Sequence, residues 1–407
     1  MREQAVISSD YTPDLFIADS DTKILLAVID GLGGLPHPRT GKSELETAVL
    51  PNLDALASSA DCGLISPSGP GITPGSGPAH LALFGYDPWR YRIGRGALSA
   101  LGLGLDFRAG DVAARLNFCT VDREGRIADR RAGRIPTGTS RRLCSILEQV
   151  RIPGIEICVR AEKEHRACAI FRGEGLEDGV TDSDPQATGV PPRPLEARGP
   201  GSLRMVQVAG EFLRQARDLL APEKPANMVL VRGFGCYPQV PSMADVYGLR
   251  ALALAGYPMY RGVAAAAGMD AVDAGPDLES ACRVLKEHFP AYDFAYLHFK
   301  KTDSAGEDRA FDKKVDLLQE VDAFIPRLLE LKADVLIVTG DHSTPSTMGA
   351  HSWHPVPCLL SSPWVIADAA SRFSERGCRG GSLGTIPATA LMALALAHAC
   401  RLDKFGA

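Results

Sequence analysis

Apolar runs of strand length recur near both ends of the chain. The run Lys23–Ile29 is apolar after its first residue and partly β-branched, as in a strand buried on both faces of a parallel sheet. It stops abruptly at Asp30. Three runs near the C-terminus have the same character, at residues 293–299, 334–339 and 356–360. We expect all four runs to be strands.

Segments with helical spacing accompany these runs. Pro51 opens a short helix over 52–60, at a position where its missing N–H costs nothing. A longer helix is predicted over 311–331, which Pro326 can kink, and a last helix over 385–399. The apolar residues of the longer helix recur at helical spacing: Val315, Leu318, Val321, Ile325 and Leu328. Strands that alternate with helices are typical of α/β proteins.

The middle of the chain has a different pattern. Residues 173–201 are dense in Gly, Pro and Asp, which predicts loops or hairpins. An amphipathic helix over 202–220 and a short strand over 228–231 follow. The simplest partition is a core domain built from both ends of the chain and one inserted domain: residues 1–105 with 245–407, and residues 106–244.

Composition narrows the class of protein further. The chain has 407 residues, of which 45% are hydrophobic, and a formal net charge of -5, which gives no support for a nucleic-acid partner. No apolar stretch approaches the roughly 18 residues that span a bilayer, and the first twenty residues do not resemble a secretion signal. The 10 cysteines include no CxxC pair, which favours reduced thiols. We therefore expect a cytoplasmic protein without membrane or nucleic-acid partners.

The residues suited to catalysis lie where strands end. Asp30, Asp303 and the pair Asp341-His342 each follow a predicted strand, and ligands of open parallel sheets bind at that edge. A single aspartate at such a place is usually a cap or turn residue, but three together are less easily explained so. Ser76 lies between two glycines before a predicted helix, where an N-cap and a phosphate-binding nucleophile are both compatible with the pattern.

Carboxylates and imidazoles are suitable ligands for divalent metals, and an excess of oxygen donors favours Mn²⁺ or Mg²⁺. Two ions about 3.5–4 Å apart would stabilise an in-line phosphoryl displacement and lower the pKa of the Ser76 hydroxyl. His354, in the same run as the ligands, is interpreted as structural. We expect two ions. One would be held by Asp30, Ser76, Asp341 and His342, and the other by Asp303, Glu307 and His351.

Six segments form an ordered series over nearly the whole chain after residue 20. The series resembles the archaeal-type cofactor-independent phosphoglycerate mutases of the alkaline phosphatase superfamily. The resemblance implies an α/β fold, with a mostly parallel sheet sandwiched by helices and a smaller inserted α/β domain. The segments are Asp30–Gly33, Ser76–Pro88, Asp129–Ile135, Leu297–Asp303, Gly340–Pro345 and Lys404–Ala407.

The resemblance also implies roles for individual residues. Ser76 would carry a phosphoserine intermediate, and the two metal sites would match those proposed above. Many relatives have a histidine four residues after the aspartate that is Asp303 here, whereas this chain has Glu307. A carboxylate there keeps a ligand and favours Mn²⁺ or Mg²⁺ over Zn²⁺. The alternative is that Glu307 faces solvent and one metal is weakly held.

Arginines supply the candidates for substrate binding, because a guanidinium binds carboxylate and phosphate through paired donors. Seven arginines lie between residues 123 and 142. The two arginines at either end of this run are interpreted as a solvated basic face: Arg123, Arg126, Arg141 and Arg142. For Arg130, Arg131 and Arg134 in the middle, the resemblance favours substrate binding. Either Lys300 or Lys301 can also pair with phosphate. The residues assigned to substrate binding are Asp129, Arg130, Arg131, Arg134, Arg232, Arg115 and Arg261.

These patterns together predict an isomerase that interconverts 3-phosphoglycerate and 2-phosphoglycerate. A phosphomonoesterase or another phosphotransferase with the same metal core is the alternative, since only control of the acceptor differs. A catalytically silent metal- or phosphate-binding protein is a further alternative, against which the retained Ser76 counts.

Overall fold

The structure, a computed structural model, describes residues 20–275, 277–367 and 369–404. The motif segment Phe405–Ala407 lies outside these residues. The strands of the described residues are β1 Ile24–Ile29, β2 Asp61–Ser66, β3 Val112–Val121, β4 Ile127–Asp129, β5 Glu156–Lys163, β6 Arg166–Arg172, β7 Met228–Cys236, β8 Ala251–Leu254, β9 Asp270–Val272, β10 Phe294–Phe299, β11 Val335–Thr339, β12 Val356–Ser361 and β13 Gly384–Pro387.

The helices surround these strands, and none of those described is long and apolar enough to cross a bilayer. In chain order they are α1 Glu44–Thr47, α2 Pro51–Ala57, α3 Ser76–Leu83, α4 Arg95–Gly102, α5 Thr137–Leu147, α6 Leu203–Leu220, α7 Met243–Tyr247, α8 Pro258–Ala266, α9 Leu278–His288, α10 Lys301–Glu307, α11 Phe311–Leu329, α12 Glu375–Arg379 and α13 Leu391–His398.

The chain divides into two compact units. Unit 1 comprises the chain up to Arg92 and from Val240 onward, and unit 2 comprises Ile93–Gln239. Unit 2 thus begins before residue 106, where the sequence placed the boundary, because α4 packs against β3 and β7. Glycines allow this packing: a Cβ on Gly94 would lie 2.2 Å from the Phe234 oxygen, and one on Gly96 would lie 2.3 Å from the Ala113 oxygen.

Unit 1 contains an eight-stranded sheet in the order β13-β2-β12-β11-β1-β10-β8-β9. Only β12 is antiparallel to its neighbours, so the sheet is mostly parallel, as predicted. The central strands β1, β10 and β11 are buried along their whole length, which agrees with their uninterrupted apolar sequences.

Unit 2 contains a five-stranded antiparallel sheet in which β3 pairs with β4, β6 and β7. The helices α5 and α6 contribute to its core, where Phe171 of β6 meets Phe212 of α6 edge-on at 5.3 Å. Residues 173–199 form neither helix nor strand, apart from an isolated bridge between Val180 and Ala197, as the Gly- and Pro-rich composition predicted.

Most predicted elements are confirmed within a few residues, and the last helix is the exception. Residues 384–387 form β13, whose Thr385 and Ile386 pair in parallel with β2, and α13 begins only at Leu391. The predicted start was therefore wrong, since backbone pairing with the sheet edge prevails there over helical spacing. Pro326 lies inside α11, which continues through it. None of the ten cysteines forms a disulfide.

Candidate active site

Three neighbouring strands bring the predicted carboxylates to one edge of the larger sheet. β1 lies between β10 and β11 and is parallel to both. Asp30 follows β1, Asp341 follows β11, and Asp303 lies in the first turn of α10 after β10. The carboxyl ends of parallel strands share an edge, so residues far apart in sequence meet there. All three aspartates are buried.

The turn after β1 depends on glycine. Gly31 has a φ of +65°, and a Cβ there would lie 2.7 Å from Thr344 Oγ1 and 2.8 Å from the Asp303 Cα. The Gly31 N–H donates a hydrogen bond to Asp341 Oδ1 at 3.1 Å. The backbone after β1 therefore approaches the loops after β10 and β11 more closely than a side chain would permit.

Ser76 is the first residue of α3, as the sequence predicted, and it is partly exposed. Its Oγ lies 3.2 Å from His342 Nε2. One turn later, His80 Nδ1 donates to the Ser76 carbonyl oxygen at 2.8 Å, and burial lowers the pKa of His80 to about 3. A neutral His80 therefore helps to hold the first turn of α3, and with it Ser76, in place.

A first group of potential metal ligands consists of Asp30, Asp341 and His342. His342 Nε2 lies 3.4 Å from Asp30 Oδ1 and 3.2 Å from Asp341 Oδ2. These two oxygens are buried and have no hydrogen-bond partner among the described residues. Buried polar atoms are almost always satisfied, so two unpartnered carboxylate oxygens facing one imidazole nitrogen suit a divalent cation.

The charges of the two carboxylates are unequal. Burial alone would raise the pKa of Asp30, but the hydrogen bond from His298 and the charge of Lys300 hold it well below its usual range. Burial and the neighbouring Asp30 charge raise the pKa of Asp341 well above its usual range. Without a cation, negative charges on two adjacent buried carboxylates would repel each other, so the protonated form of Asp341 is favoured.

A second group of potential ligands consists of Asp303, His342 and His351. His351 Nε2 lies 3.4 Å from Asp303 Oδ1, and the two imidazole rings stack with their centroids 3.6 Å apart. His351 Nδ1 donates to the Pro74 carbonyl oxygen at 3.0 Å. That bond fixes one proton on Nδ1. Although burial opposes a charge on this ring, the hydrogen bond with Asp303 raises the pKa of His351, so in the metal-free protein a proton on Nε2 faces the carboxylate, and a metal would displace it.

A hydroxyl fixes the tautomer of His342 in the same way. Thr344 Oγ1 donates to Asp303 Oδ1 at 2.8 Å, so it accepts from His342 Nδ1 at 2.9 Å. His342 Nε2 is then the unprotonated nitrogen, and burial lowers the pKa of this imidazole to about 4. His342 is therefore a neutral group with a lone pair aimed between the two ligand groups.

One predicted ligand, Glu307, lies at the margin of this cluster. Glu307 Oε1 is 3.8 Å from His351 Nε2, and its side chain is 55% exposed. Burial of part of the group and the charge of Asp303 raise the pKa of Glu307. His354 belongs to neither group; its Nδ1 lies 3.1 Å from Ser352 Oγ, and its ring stacks on Trp353.

Lys300 rather than Lys301 reaches the cluster. Its Nζ lies 3.3 Å from Asp30 Oδ2 and also donates to Asp303 Oδ2. Although burial opposes the charge, these two aspartates raise the pKa of Lys300 above its ordinary value. Lys301 instead pairs with Glu320 on the surface, at 3.5 Å.

The predicted substrate-binding arginines are mostly held by carboxylates of the chain itself. Arg130 donates to both oxygens of Asp184, at 2.9 and 2.7 Å, and Arg232 Nη1 lies 3.6 Å from the same carboxylate. Arg232 Nε is buried without a hydrogen-bond partner in the described part of the chain. Unit 2 thus contains a fixed pair of guanidinium groups on one buried aspartate.

Two further predicted arginines are also paired with carboxylates. Arg115 Nη2 donates to Glu162 Oε1 at 2.8 Å within unit 2. Arg261, in α8 of unit 1, donates to the Ala255 carbonyl oxygen at 3.2 Å and pairs with a carboxylate of Asp273 at 3.0 Å.

The remaining two predicted arginines, Arg131 and Arg134, lie in the turn after β4. The Asp129 carboxylate accepts from the backbone N–H groups of Arg131 and Gly133 at 2.8 and 2.6 Å, and these bonds lower the pKa of Asp129. Ala132, Gly133 and Arg134 all have positive φ, at 46°, 65° and 53°. Asp129 therefore shapes a strained turn, and the side chains of Arg131 and Arg134 lie exposed on it.

Comparison with known proteins identifies the family. The sequence model described as 2,3-bisphosphoglycerate-independent phosphoglycerate mutase matches residues 57–227. A curated relative from Thermus thermophilus, named "Probable 2,3-bisphosphoglycerate-independent phosphoglycerate mutase", is 51% identical over 391 residues, 95% of this chain and 96% of the relative. This chain belongs to the 2,3-bisphosphoglycerate-independent phosphoglycerate mutase family.

Two solved structures support the fold of this family member. A cofactor-independent phosphoglycerate mutase from Thermoplasma acidophilum is 30% identical and has a TM-score of 0.71, over 93% of this chain and 100% of that one. A protein from Pyrococcus horikoshii is 29% identical with a TM-score of 0.83, over 95% and 99%. The predicted family, α/β fold and isomerase class are confirmed.

Sequence patterns missed several residues that contact the candidate metal ligands of unit 1 or the predicted arginines of unit 2. Tyr260 and His298 both donate to Asp30, Thr344 links the two ligand groups, and Asp184 holds two arginines. Thr344 and His298 stand inside motif segments, which was a usable signal. Tyr260 precedes Arg261, and Asp184 lies in a loop region, so neither carried a recognisable spacing.

Proposed function

We propose that the protein interconverts 3-phosphoglycerate and 2-phosphoglycerate through a phosphoserine on Ser76. The observation that carries this proposal is the position of Ser76 Oγ, 3.2 Å from His342 Nε2. That nitrogen faces two buried carboxylate oxygens that have no hydrogen-bond partner among the described residues. Membership of the phosphoglycerate mutase family supports the choice of substrate. A cytoplasmic location is part of the same proposal.

Two divalent ions fit the donors, and Mn²⁺ suits mixed oxygen and nitrogen ligands, with Mg²⁺ as the alternative. Such ions would lower the pKa of the serine hydroxyl and offset charge on the phosphoryl oxygens. The imidazoles of His342 and His351 and the buried carboxylates are the chain's contribution to binding them. The proposed ligands are Asp30, Ser76, Asp341 and His342 for one ion, and Asp303, His351 and Glu307, with His342 adjacent, for the other.

The reaction comprises two balanced transfers. Ser76 Oγ forms a bond to phosphorus, the bond from phosphorus to the glycerate oxygen breaks, and that oxygen takes the proton lost from serine. The other glycerate hydroxyl then forms a bond to phosphorus, and the bond from phosphorus to Ser76 Oγ breaks. Ser76 Oγ takes the proton that this hydroxyl loses. The ammonium of Lys300, held beside Asp30 and Asp303, offsets negative charge on the phosphoryl group.

Arginines bind the glycerate and its phosphate in this proposal. The exposed Arg131 and Arg134 offer donors that the turn of Asp129 presents, and Arg232 offers its buried Nε. The more firmly paired Arg130, Arg115 and Arg261 can contribute only the donors that their own carboxylates leave open. Retaining glycerate between the transfers is what separates a mutase from a phosphomonoesterase.

One assay tests the proposal. Mn²⁺-loaded protein is incubated with 3-phosphoglycerate, and 2-phosphoglycerate and inorganic phosphate are both quantified. We expect 2-phosphoglycerate to be the main product, Ser76→Ala to abolish its formation, and Ser58→Ala, at an exposed serine after α2, to leave it unchanged. Mainly inorganic phosphate would instead identify a phosphomonoesterase, and activity retained in Ser76→Ala would exclude the serine nucleophile.

A further inference from the structure

A buried tyrosine contacts both the proposed nucleophile and a proposed metal ligand. Tyr260 lies in the first turn of α8 and is 1% exposed. Its hydroxyl donates to Asp30 Oδ2 and also contacts the Ser76 side chain. Its ring stacks on His298, with centroids 3.8 Å apart and planes inclined by 28°. The tyrosine is therefore fixed by its ring as well as by its hydroxyl.

The two oxygens of Asp30 have different environments. Oδ2 accepts from the Tyr260 hydroxyl and from His298 Nε2 at 3.1 Å, and Lys300 Nζ lies 3.3 Å away. Oδ1 lies 3.4 Å from His342 Nε2 and has no hydrogen-bond partner among the described residues. Donors on Oδ2 prevent the carboxylate from rotating, so Oδ1 stays directed at the ligand group.

The direction of the hydrogen bonds also restricts the position of Ser76. An ionised carboxylate only accepts, so the single proton of the Tyr260 hydroxyl goes to Asp30. The tyrosine oxygen then faces Ser76 only as an acceptor, and it shares the single serine proton with His342 Nε2. Tyr260 thus links the serine to the carboxylate, and each restricts the position of the other.

We propose that Tyr260 and His298 are positioning residues that orient Asp30 toward the metal and hold Ser76 beside it. This inference rests on the proposed metal site and nucleophile, and assigns to them two residues that themselves ligate nothing. Partners that orient a metal ligand typically change metal affinity about 10–100-fold when removed. The effect should therefore be visible in metal binding without any substrate.

A second tyrosine in the same aromatic cluster provides the control. Tyr296 of β10 is fully buried and packs edge-on against His80 and Phe84. Its hydroxyl has no hydrogen-bond partner in the described residues. Tyr260→Phe and Tyr296→Phe therefore remove the same buried hydroxyl from neighbouring places, and only the first removes a contact to Asp30 and Ser76.

The experiment compares Mn²⁺ affinity by calorimetry without substrate, kcat and KM for 3-phosphoglycerate, and the urea midpoint. We expect Tyr260→Phe to weaken Mn²⁺ binding about 10-fold or more and to lower kcat with KM nearly unchanged. We expect Tyr296→Phe to change metal affinity less than about 2-fold. Wild-type metal affinity and kcat in Tyr260→Phe would overturn the inference.

The histidine is tested by rescue, which also covers a Tyr260→Phe protein that fails to fold. His298→Gln keeps an N–H donor for Asp30, whereas His298→Leu removes it. We expect the leucine variant to lose Mn²⁺ affinity and the glutamine variant to regain most of it; equal affinities would overturn the inference. Metal affinity without substrate judges this inference, and the ratio of 2-phosphoglycerate to phosphate judges the proposed function, so their failures are distinguishable.

Discussion

Single buried carboxylates determine where the cationic side chains of this protein point. Asp184 is 2% exposed, and Arg130 and Arg232 both approach it. Its segment is tied to β7 by Ser183, which exchanges hydrogen bonds with Val231, the residue before Arg232. A fixed guanidinium loses less rotational freedom when it binds an anion, so Asp184 would prepare both arginines for the proposed substrate.

This role predicts the effect of Asp184→Asn, which keeps the shape and removes the charge. We expect KM for 3-phosphoglycerate to rise about tenfold, equivalent to ~1.4 kcal/mol of binding, with kcat changed less than about twofold. Steady-state kinetics measure both constants.

The matched control is Glu223→Gln, which breaks the exposed bidentate pair of Glu223 with Arg142 in the same unit. Exposed ion pairs contribute little, so we expect no change in KM. A fall in kcat with unchanged KM in Asp184→Asn would contradict a role in substrate binding.

How far sequence predicts the site depends on whether a residue acts through a local motif. Ser76 and the Asp341-His342 pair stand in motifs whose spacing suits their chemistry, so the sequence could nominate them. Tyr260 reaches Asp30 only because α8 packs against α3 and against the strands β8 and β9, and nothing in the sequence around Tyr260 records that contact. Positioning residues of this kind become visible only in three dimensions.

The loops after β1 and β11, which carry the metal ligands, are joined by one lysine of α11. Lys314 is completely buried, and its Nζ donates to the carbonyl oxygens of Gly33 at 3.0 Å and Thr344 at 2.9 Å. Burial lowers the pKa of Lys314, while the nearby Glu44 and Glu375 oppose that shift. The lysine therefore satisfies two buried carbonyls and balances buried acids at the same time.

Lys314→Met should consequently be strongly destabilising. Removing one member of a buried charged group leaves its partners uncompensated, which costs about 3–5 kcal/mol of unfolding free energy. Lys313→Met, at the adjacent exposed position, should change stability by less than about 0.5 kcal/mol. Urea unfolding of both variants measures the difference, and similar midpoints would show that the buried lysine contributes little.

Elements were predictable where burial alone defines them. β1 is apolar at every position and buried at every position, so its observed start and end follow from its sequence. β13 is a short edge strand in which half-buried and exposed residues alternate up to Pro387, so its sequence contains no apolar run. Its strand conformation comes from pairing with Leu64 and Ile65 of β2, a contact between distant parts of the chain.

At the scale of the chain, the candidate metal site forms only when unit 1 is folded. Its candidate ligands come from the ends of β1, β10 and β11 and from the loop before β12, so an unfolded chain cannot present them together. An ion that binds only the folded protein raises its stability, by about 2.7 kcal/mol at a concentration 100 times its dissociation constant. Metal binding and folding are thus thermodynamically linked.

The sign of the pH dependence follows from Asp341. Because its pKa is raised in the folded protein, it contributes stability at low pH that is lost as pH rises through the folded value, and a metal must displace its proton. His342, with a pKa lowered to about 4, is already neutral and releases none. Metal affinity should therefore increase with pH.

We accordingly expect Mn²⁺ to raise the thermal midpoint more at pH 8 than at pH 6, and excess EDTA to reverse the gain at both. Calorimetry in two buffers of different ionisation enthalpy should detect proton release on binding at pH 6. His351, whose pKa is raised by Asp303, must also lose a proton to the metal. Asp341→Asn removes one of these two titrating groups, so its weaker binding should lose part of the pH dependence. An equal Mn²⁺ effect at both pH values in the wild type would mean that neither the Asp30–Asp341 pair nor His351 holds a proton before the metal binds.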